Sequence, residues 1–385
     1  MIFSVTTKEF KDALKAINLL KKTQIEGNDQ LVLSAIDQHS LLIERFSVNV
    51  RFQAKLHVVF KELGNATVSF PQLLDVFKNP SGDIALFQCD DFEPSLGDKN
   101  KMSIEIDGDY FKVDSFNPEY TYLYPWLMKD EPPVGDMIRL STIDLDALFK
   151  NTLPSCISPE DELGRPVFER IRLKTEGNDL IAYSCDTHRL TAVKSQCFAD
   201  NAPLLDILIP FHIANVALKL FKKADDAFLW QTLSTVCLKI DNFTLSSKLF
   251  TSSDFPEPNK YIEQRNDRTP SALFNVNELK RAFNKLLPFA KKRRYKTVFC
   301  QFIDDSLSAC VKDDDGNIIF KTAVPAADCS KTSIVFGINA VYMLDALKFL
   351  DNTVRLSFLG NKNPLVVEFN GRLFSATFLI SLITI

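Results

Sequence analysis

Glycine is scarce in this chain, 12 of 385 residues, or about 3% where about 7% is usual. Neither GxGxxG nor GxxxxGK followed by Ser or Thr occurs. Backbone amides need glycine to approach phosphates closely, so dinucleotide and P-loop enzymes are disfavoured. The eight cysteines, Cys89, Cys156, Cys185, Cys197, Cys237, Cys300, Cys310 and Cys329, include no CxxC pair. That spacing argues against a zinc site or a disulfide framework and for a reducing compartment. Histidine is limited to His39, His57, His188 and His212. Excess positive charge is also lacking, with 45 basic against 49 acidic residues. A generally basic nucleic-acid binder is not indicated, although a basic face can sit inside an acidic protein.

Long hydrophobic runs are missing too. "LLDILIPFHIANVALKLF" is broken by Asp206, Pro210 and His212, and the final "FSATFLISLITI" is too short to span the ~30 Å of a bilayer. The start, "MIFSVTTKEF", has no basic region followed by an apolar core, so a signal peptide is not expected. The expected location is cytoplasmic. With 46% hydrophobic and 24% charged residues, the chain reads as globular and, by its length, as more than one domain.

A repeat is present. "FSVTTKEFKDALKAINLLKK", "IRLSTIDLDALFKNTL" and "LFNVNELKRAFNKLLPFAKK" each place a β-like lead-in and a small polar residue before an amphipathic helix. The pairs Phe10/Leu14, Leu145/Phe149 and Leu279/Phe283 stand at i, i+4, with Leu145 lying 135 residues after Phe10 and Leu279 another 134 on. A second strand-then-helix pattern follows in each unit at "VSFPQLLDVFK", "ILIPFHIANVALKLFKK" and "IVFGINAVYMLDALKFL". Alternating runs between them predict antiparallel strands. The charged, proline-containing stretches "MKDEPPVGD" and "IEQRNDRTPS" are the junctions. The expectation is an α+β fold of three domains, 1–133, 134–268 and 269–385, each with two helices packed on antiparallel sheets.

The helices carry lysine faces: Lys8, Lys11, Lys15 and Lys22 on the first, Lys219, Lys222 and Lys223 on the fourth, Lys280, Arg281 and Lys285 on the fifth, followed by "KKRRYK". Solvated helix faces are often lysine-rich, but recurrence on equivalent helices predicts a positive surface suited to phosphates without base readout.

The stretch "SCDTHRLTAV", Ser184 to Val193, crowds a thiol, a carboxylate, an imidazole and a guanidinium together. With its flanking "GRPVFERIRLKTEGNDLIAY", with "SSKLFTSSDFPEPNKYIE" and with "FGINAVYMLDAL", it resembles the bacterial DNA polymerase III beta subunit, the sliding clamp. The resemblance runs the length of the chain and is strongest in the middle unit. Two departures stand out: Thr187 replaces the glycine usual in the turn, and Pro258 and Asn259 follow Phe-Pro-Glu. The family commonly ends near Met-Pro-Met-Arg-Leu, whereas this chain has Ser381 for the proline and no basic residue after it.

The resemblance implies a head-to-tail homodimer ring of six domains around duplex DNA, with helices lining the hole. It implies no catalysis, no metal and no cofactor. The implied partners are duplex DNA, the replicative polymerase, the clamp loader and repair proteins, the proteins docking by short peptides. By position, one part of the implied peptide cleft is Phe168, Cys185, Thr187, His188, Arg189, Leu190, Pro256, Lys260 and Tyr261. The other part is Asn339, Tyr342, Leu365, Phe378, Ile380, Ser381 and Leu382. Phe111, Val113, Pro288 and Phe289 are the implied dimer contacts, with ordinary core as their competing reading. Trp126 and Trp230 read as core or interface aromatics.

Two rival readings compete with this one. A Cys/His enzyme built on Cys185, Asp186 and His188 is disfavoured because residues alternating along one strand would turn Cys185 away from His188. A clamp-like paralogue or scaffold would keep the fold and cleft without serving the replicase.

Overall fold

In the computed structural model the first helix of each repeat forms where the cap and apolar spacing require it. The structure describes residues 1–20, 29–46, 49–80, 82–89, 99–116, 133–135, 137–157, 166–198, 203–250, 255–256, 269–303, 305–329, 334–360 and 363–383. The Thr6 hydroxyl caps the first helix by accepting from the Glu9 N–H at 3.3 Å and donates to the Glu9 carboxylate at 2.7 Å. Asn275 accepts from the Asn277 and Glu278 N–H groups at 2.9 and 3.2 Å. Phe10, Leu14, Leu145, Phe149, Leu279 and Phe283 are all at most 1% exposed, so each i, i+4 pair faces a core.

The first repeat runs β1 (Ile2–Thr6), α1 (Thr7–Ile17), β2 (Gln30–Asp37), β3 (Ser40–Phe46), β4 (Val50–His57), β5 (Val59–Glu62), β6 (Asn65–Ser69), α2 (Phe70–Val76), β7 (Ile84–Cys89), β8 (Lys99–Ile106) and β9 (Asp109–Phe116). The second runs β10 (Ile138–Ser141), α3 (Thr142–Thr152), β11 (Arg170–Glu176), β12 (Asp179–Cys185), β13 (Arg189–Gln196), β14 (Asp206–Pro210), α4 (Phe211–Leu220), β15 (Asp226–Gln231), β16 (Thr235–Ile240) and β17 (Phe243–Lys248). The third runs β18 (Ser271–Asn275), α5 (Val276–Ala290), β19 (Thr297–Ile303), β20 (Ser306–Lys312), β21 (Ile318–Cys329), β22 (Ile334–Asn339), α6 (Ala340–Leu347), β23 (Thr353–Phe358), β24 (Leu365–Asn370) and β25 (Ser375–Ile380). Apart from β5 the order is the same three times: strand, helix, four strands, helix, three strands.

One hydrogen bond repeats with it. The first N–H of α1, α3 and α5, at Thr7, Thr142 and Val276, donates to the carbonyl of Asp83, Asp225 and Asn352, each just before the strand that follows the second helix. Orphan helix N–H groups are thus satisfied the same way in all three repeats. Every strand pairing among the described residues is antiparallel.

Compactness follows the sheets. One unit comprises residues 1–142 and 219–249, the other 143–218 and 250–385. The first holds a 13-stranded sheet in which β4 of the first repeat pairs with β17 of the second. The second holds a 12-stranded sheet in which β13 of the second repeat pairs with β25 of the third. Each seam therefore joins the third strand of one repeat's meander to the last strand of the next repeat. Among the described residues no helix is long and apolar enough to cross a membrane.

Candidate functional site

The quoted cluster is a hairpin turn. β12 ends at Cys185 and β13 begins at Arg189, so Cys185, Asp186 and His188 do not lie along one strand as the alternation argument assumed. Thr187 takes φ 76°, the left-handed region, which explains a preference for glycine there. Asp186 holds the turn: its Oδ1 accepts from the His188 and Arg189 N–H groups at 3.1 and 3.0 Å. The Cys185 Sγ accepts from the Thr187 N–H at 3.4 Å. Burial pushes the Cys185 thiol up, so it is a packed thiol and not an activated thiolate.

Arg189 is a bolt rather than a free rim donor. Its Nε meets Asp186 Oδ2 at 2.7 Å, its Nη1 meets Asp345 Oδ2 on α6 at 2.6 Å, and its Nη2 donates to the Pro154 carbonyl. The guanidinium lies 4.3 Å from the Tyr342 ring centroid. Burial, then the Asp186 charge, pushes the Tyr342 hydroxyl above its ordinary range.

Beside the turn lies an apolar cluster: Ile157, Phe168, Ile181, Tyr183, Cys185, Leu190, Leu208, Phe255, Val366 and Leu379, with Val167, Ala192, Phe250 and Leu359 packed at its margin. Strand register decides which expected residues share it. Leu190 pairs with Cys185 and Leu379, whereas Arg189 pairs with Ile380 and Thr191 with Phe378. Leu365 pairs with Ile380. Alternation puts Leu365, Phe378 and Ile380 on the opposite face, where they are at most 3% exposed. Phe168, Cys185 and Leu190 are thus brought together, and Leu365, Phe378 and Ile380 are not brought to them. Sequence reasoning missed the other seven members, among them Val366 and Leu379 on the C-terminal strands; a register one residue later along the last strand would have found Leu379.

The remaining positions frame this surface. The Ser381 N–H donates to the His188 carbonyl at 2.9 Å, continuing the seam. Asn339 caps α6 by accepting from the Val341 N–H at 2.9 Å. Leu382 and Pro256 are half-buried, and Lys260 and Tyr261 lie outside the described residues.

The lysine faces divide in two. Lys8, Lys15, Lys219, Lys222, Lys223, Arg281 and Lys285 are exposed. Lys11 instead donates to the Lys78 carbonyl and Lys280 to the Leu350 carbonyl, both at 2.9 Å. These two lysines hold equivalent places in α1 and α5 and clasp the chain just past the second helix of their own repeat. Partial burial lowers the Lys280 ammonium pKa. Lys22 lies outside the described residues, as does Trp126.

Of the expected interface residues, Phe111 is half-buried and Pro288 exposed. Phe289 stacks on Phe320 of β21 with centroids 5.1 Å apart. Val113 is 1% exposed, so its side chain is committed to its own unit's core. Both strands involved are open edges: β6 reaches β9 only at Ser115 and Phe116, and β18 reaches β21 only from Ala326 to Cys329. Tyr110–Lys112 and Ile318–Pro325 therefore have a strand on one side only, among the described residues.

This architecture is that of the sliding clamps. The crystal structure of the DNA polymerase sliding clamp from Bacillus subtilis superposes with a TM-score of 0.85 at 16% identity, covering 100% of this chain and 99% of that one. The DNA polymerase III beta subunit from Thermotoga maritima gives 0.81 at 13% identity, covering 100% and 99%. In sequence, residues 147–257 match the family model of the DNA polymerase III beta subunit, central domain. The Beta sliding clamp of Staphylococcus aureus is 21% identical over 372 residues, 94% of this chain and 93% of that protein. The resemblance to the bacterial DNA polymerase III beta subunit holds.

Proposed function

We propose that the chain is a sliding clamp: two copies close head to tail into a ring that encircles duplex DNA, and partner proteins dock by short peptides on the surface formed at the β13–β25 seam. The three domains are 1–133, 134–268 and 269–385. The observation that carries this reading is the seam rule. In both units the third meander strand of one repeat pairs with the last strand of the next. The two strands left over, β21 and β9, are each open on one side along part of their length, among the described residues. Applied once more between two copies, the same rule pairs β21 with β9 and closes a ring, and repeating it head to tail protects edges that would otherwise template aggregation.

Phe289, Phe320 and Phe111 then meet at the joint, with Val113 contributing backbone pairing alone. Lys8, Lys15, Lys219, Lys222, Lys223, Arg281 and Lys285 supply phosphate contacts without reading bases. The apolar cluster of Phe168, Leu190, Val366 and Leu379 receives apolar anchors, and retention on DNA is topological. The protein works in the cytoplasm, with no cofactor.

Light scattering tests the joint. A concentration-independent species near twice 43.6 kDa is expected; a strict monomer at high concentration overturns ring closure. Loading with a clamp loader then separates a clamp from a scaffold: the ring stays on nicked circles and runs off once they are linearised, whereas a scaffold shows no such difference.

A further inference from the structure

A groove of about 680 Å³ opens on the face of the 13-stranded sheet that turns away from its helices. On β4, Val50, Phe52, Ala54 and Leu56 are buried and Arg51, Gln53, Lys55 and His57 alternate outward. The groove crosses β15, β16, β17, β4 and β3, which are neighbours in that order. Four strand spacings at ~4.8 Å give a length of about 19 Å, the reach of about six extended residues at ~3.3 Å each.

Its chemistry changes along that length. Phe228, Trp230 and Met137 form one end, with Met137 56% exposed although it is apolar. Leu42 lies at the other end. Between them stand the exposed cations Lys239 and Lys55, with the exposed imidazole of His57 near the Leu42 end. Asp241 is the single carboxylate lining the groove among the described residues. Trp230 is thus a groove wall, not a core aromatic.

We propose that this groove is a second docking site, which takes an extended segment of about six residues with an apolar side chain at each end and acidic residues between. The apolar ends supply anchor pockets and the lysines select the charge. A phosphodiester strand fits less well, because it would bring a charge at every residue past Asp241 and leave the aliphatic Leu42 end without a partner. The proposal does not rest on ring closure, and the lysines Lys55 and Lys239 give the groove a charge preference.

The test uses the full chain and a dye-labelled probe, Ac-Phe-Glu-Ser-Asp-Glu-Leu-amide, with Ac-Phe-Lys-Ser-Lys-Lys-Leu-amide as its charge-reversed counterpart. Fluorescence anisotropy should show the acidic probe binding at least 10-fold more tightly, and its binding should shift Trp230 emission, a change lost in Trp230→Phe. The double variant Lys55→Glu/Lys239→Glu should lose at least 10-fold in affinity, and Lys55→Gln/Lys239→Gln a smaller factor, both with the parent's melting temperature because the two side chains are exposed. Equal binding of both probes, an unchanged affinity in the charge-reversed variant, or tighter binding of a dT hexanucleotide than of the acidic probe overturns the proposal.

Discussion

The β4–β17 and β13–β25 seams occupy equivalent places in the repeat but are built from opposite materials. At the second, Leu190 pairs with Cys185 and Leu379, and the next pair is Tyr183 with Ala192. At the first, Arg51 pairs with Phe46 and Ser246, and the next pair is Glu44 with Gln53. Where one seam presents leucines, the other buries an ion pair, with Arg51 and Glu44 side chains 13% and 6% exposed. Arg51 Nε reaches Glu44 Oε1 at 2.7 Å and Gln53 Nε2 reaches it at 2.8 Å. A buried charge must keep its partners, so the first seam is closed to apolar anchors at the position where the second is suited to them. Repetition of a backbone does not repeat a binding site.

Breaking the ion pair should give the largest effect. Glu44→Ala leaves the Arg51 guanidinium buried without its carboxylate and should cost about 3–5 kcal/mol, read as a lower urea midpoint. Glu44→Leu combined with Arg51→Leu should restore most of it. An equal loss in the double variant would show that the pair matters through packing alone.

Acid should distinguish the units next. Burial, with the Arg170 charge, pulls His212 down to about 4, whereas His39 and His57 are exposed. The unfolded chain, with histidine near 6.5, takes up the proton first. The neutral imidazole therefore contributes stability that is fully present above pH 6.5 and is lost as pH falls through about 4, by at most about 3 kcal/mol. Amide exchange should show residues 143–218 and 250–385 loosening before the other unit as pH drops over that window, and His212→Leu should flatten the response.

The two faces of β25 can be separated by peptide binding. Leu379→Ala should weaken a Leu-Phe-anchored peptide by about 2 kcal/mol, or roughly 30-fold. Ile380→Ala should lower the melting temperature but leave that affinity within about twofold when both are measured well below the melt. The reverse order would mean that the anchors enter from the other face. The smallest effect belongs to the turn: Thr187→Gly removes a side chain from φ 76° and should stabilise by about 0.5–1 kcal/mol after glycine's own entropy cost.

The helices were legible because capping and i, i+4 burial are local. Thr6 and Asn275 cap where their types predict, and the Phe10/Leu14 kind of pair is buried three times over. The lysine pattern was legible only in part. Lys11 and Lys280 recur because each closes its repeat on a carbonyl about 70 residues away in sequence, a contact no local spacing records. Of the expected cleft residues, Phe168, Cys185 and Leu190 share one apolar cluster, whereas Leu365, Phe378 and Ile380 face the other side of their strands. A register slip of one exchanges the two faces of a strand, and register is set by a partner more than 180 residues distant.

By itself, then, the amino-acid order determined the threefold repeat, the capped helices and the turn between β12 and β13, since each depends on neighbours within about four residues or on periodicity. Tertiary structure alone decided that Leu379 rather than Ile380 joins Leu190, that Glu44 and Arg51 close the other seam, and that Val113 turns inward. Those outcomes depend on which strands pair and in what register, and the energy that selects a pairing comes from residues far apart in the chain.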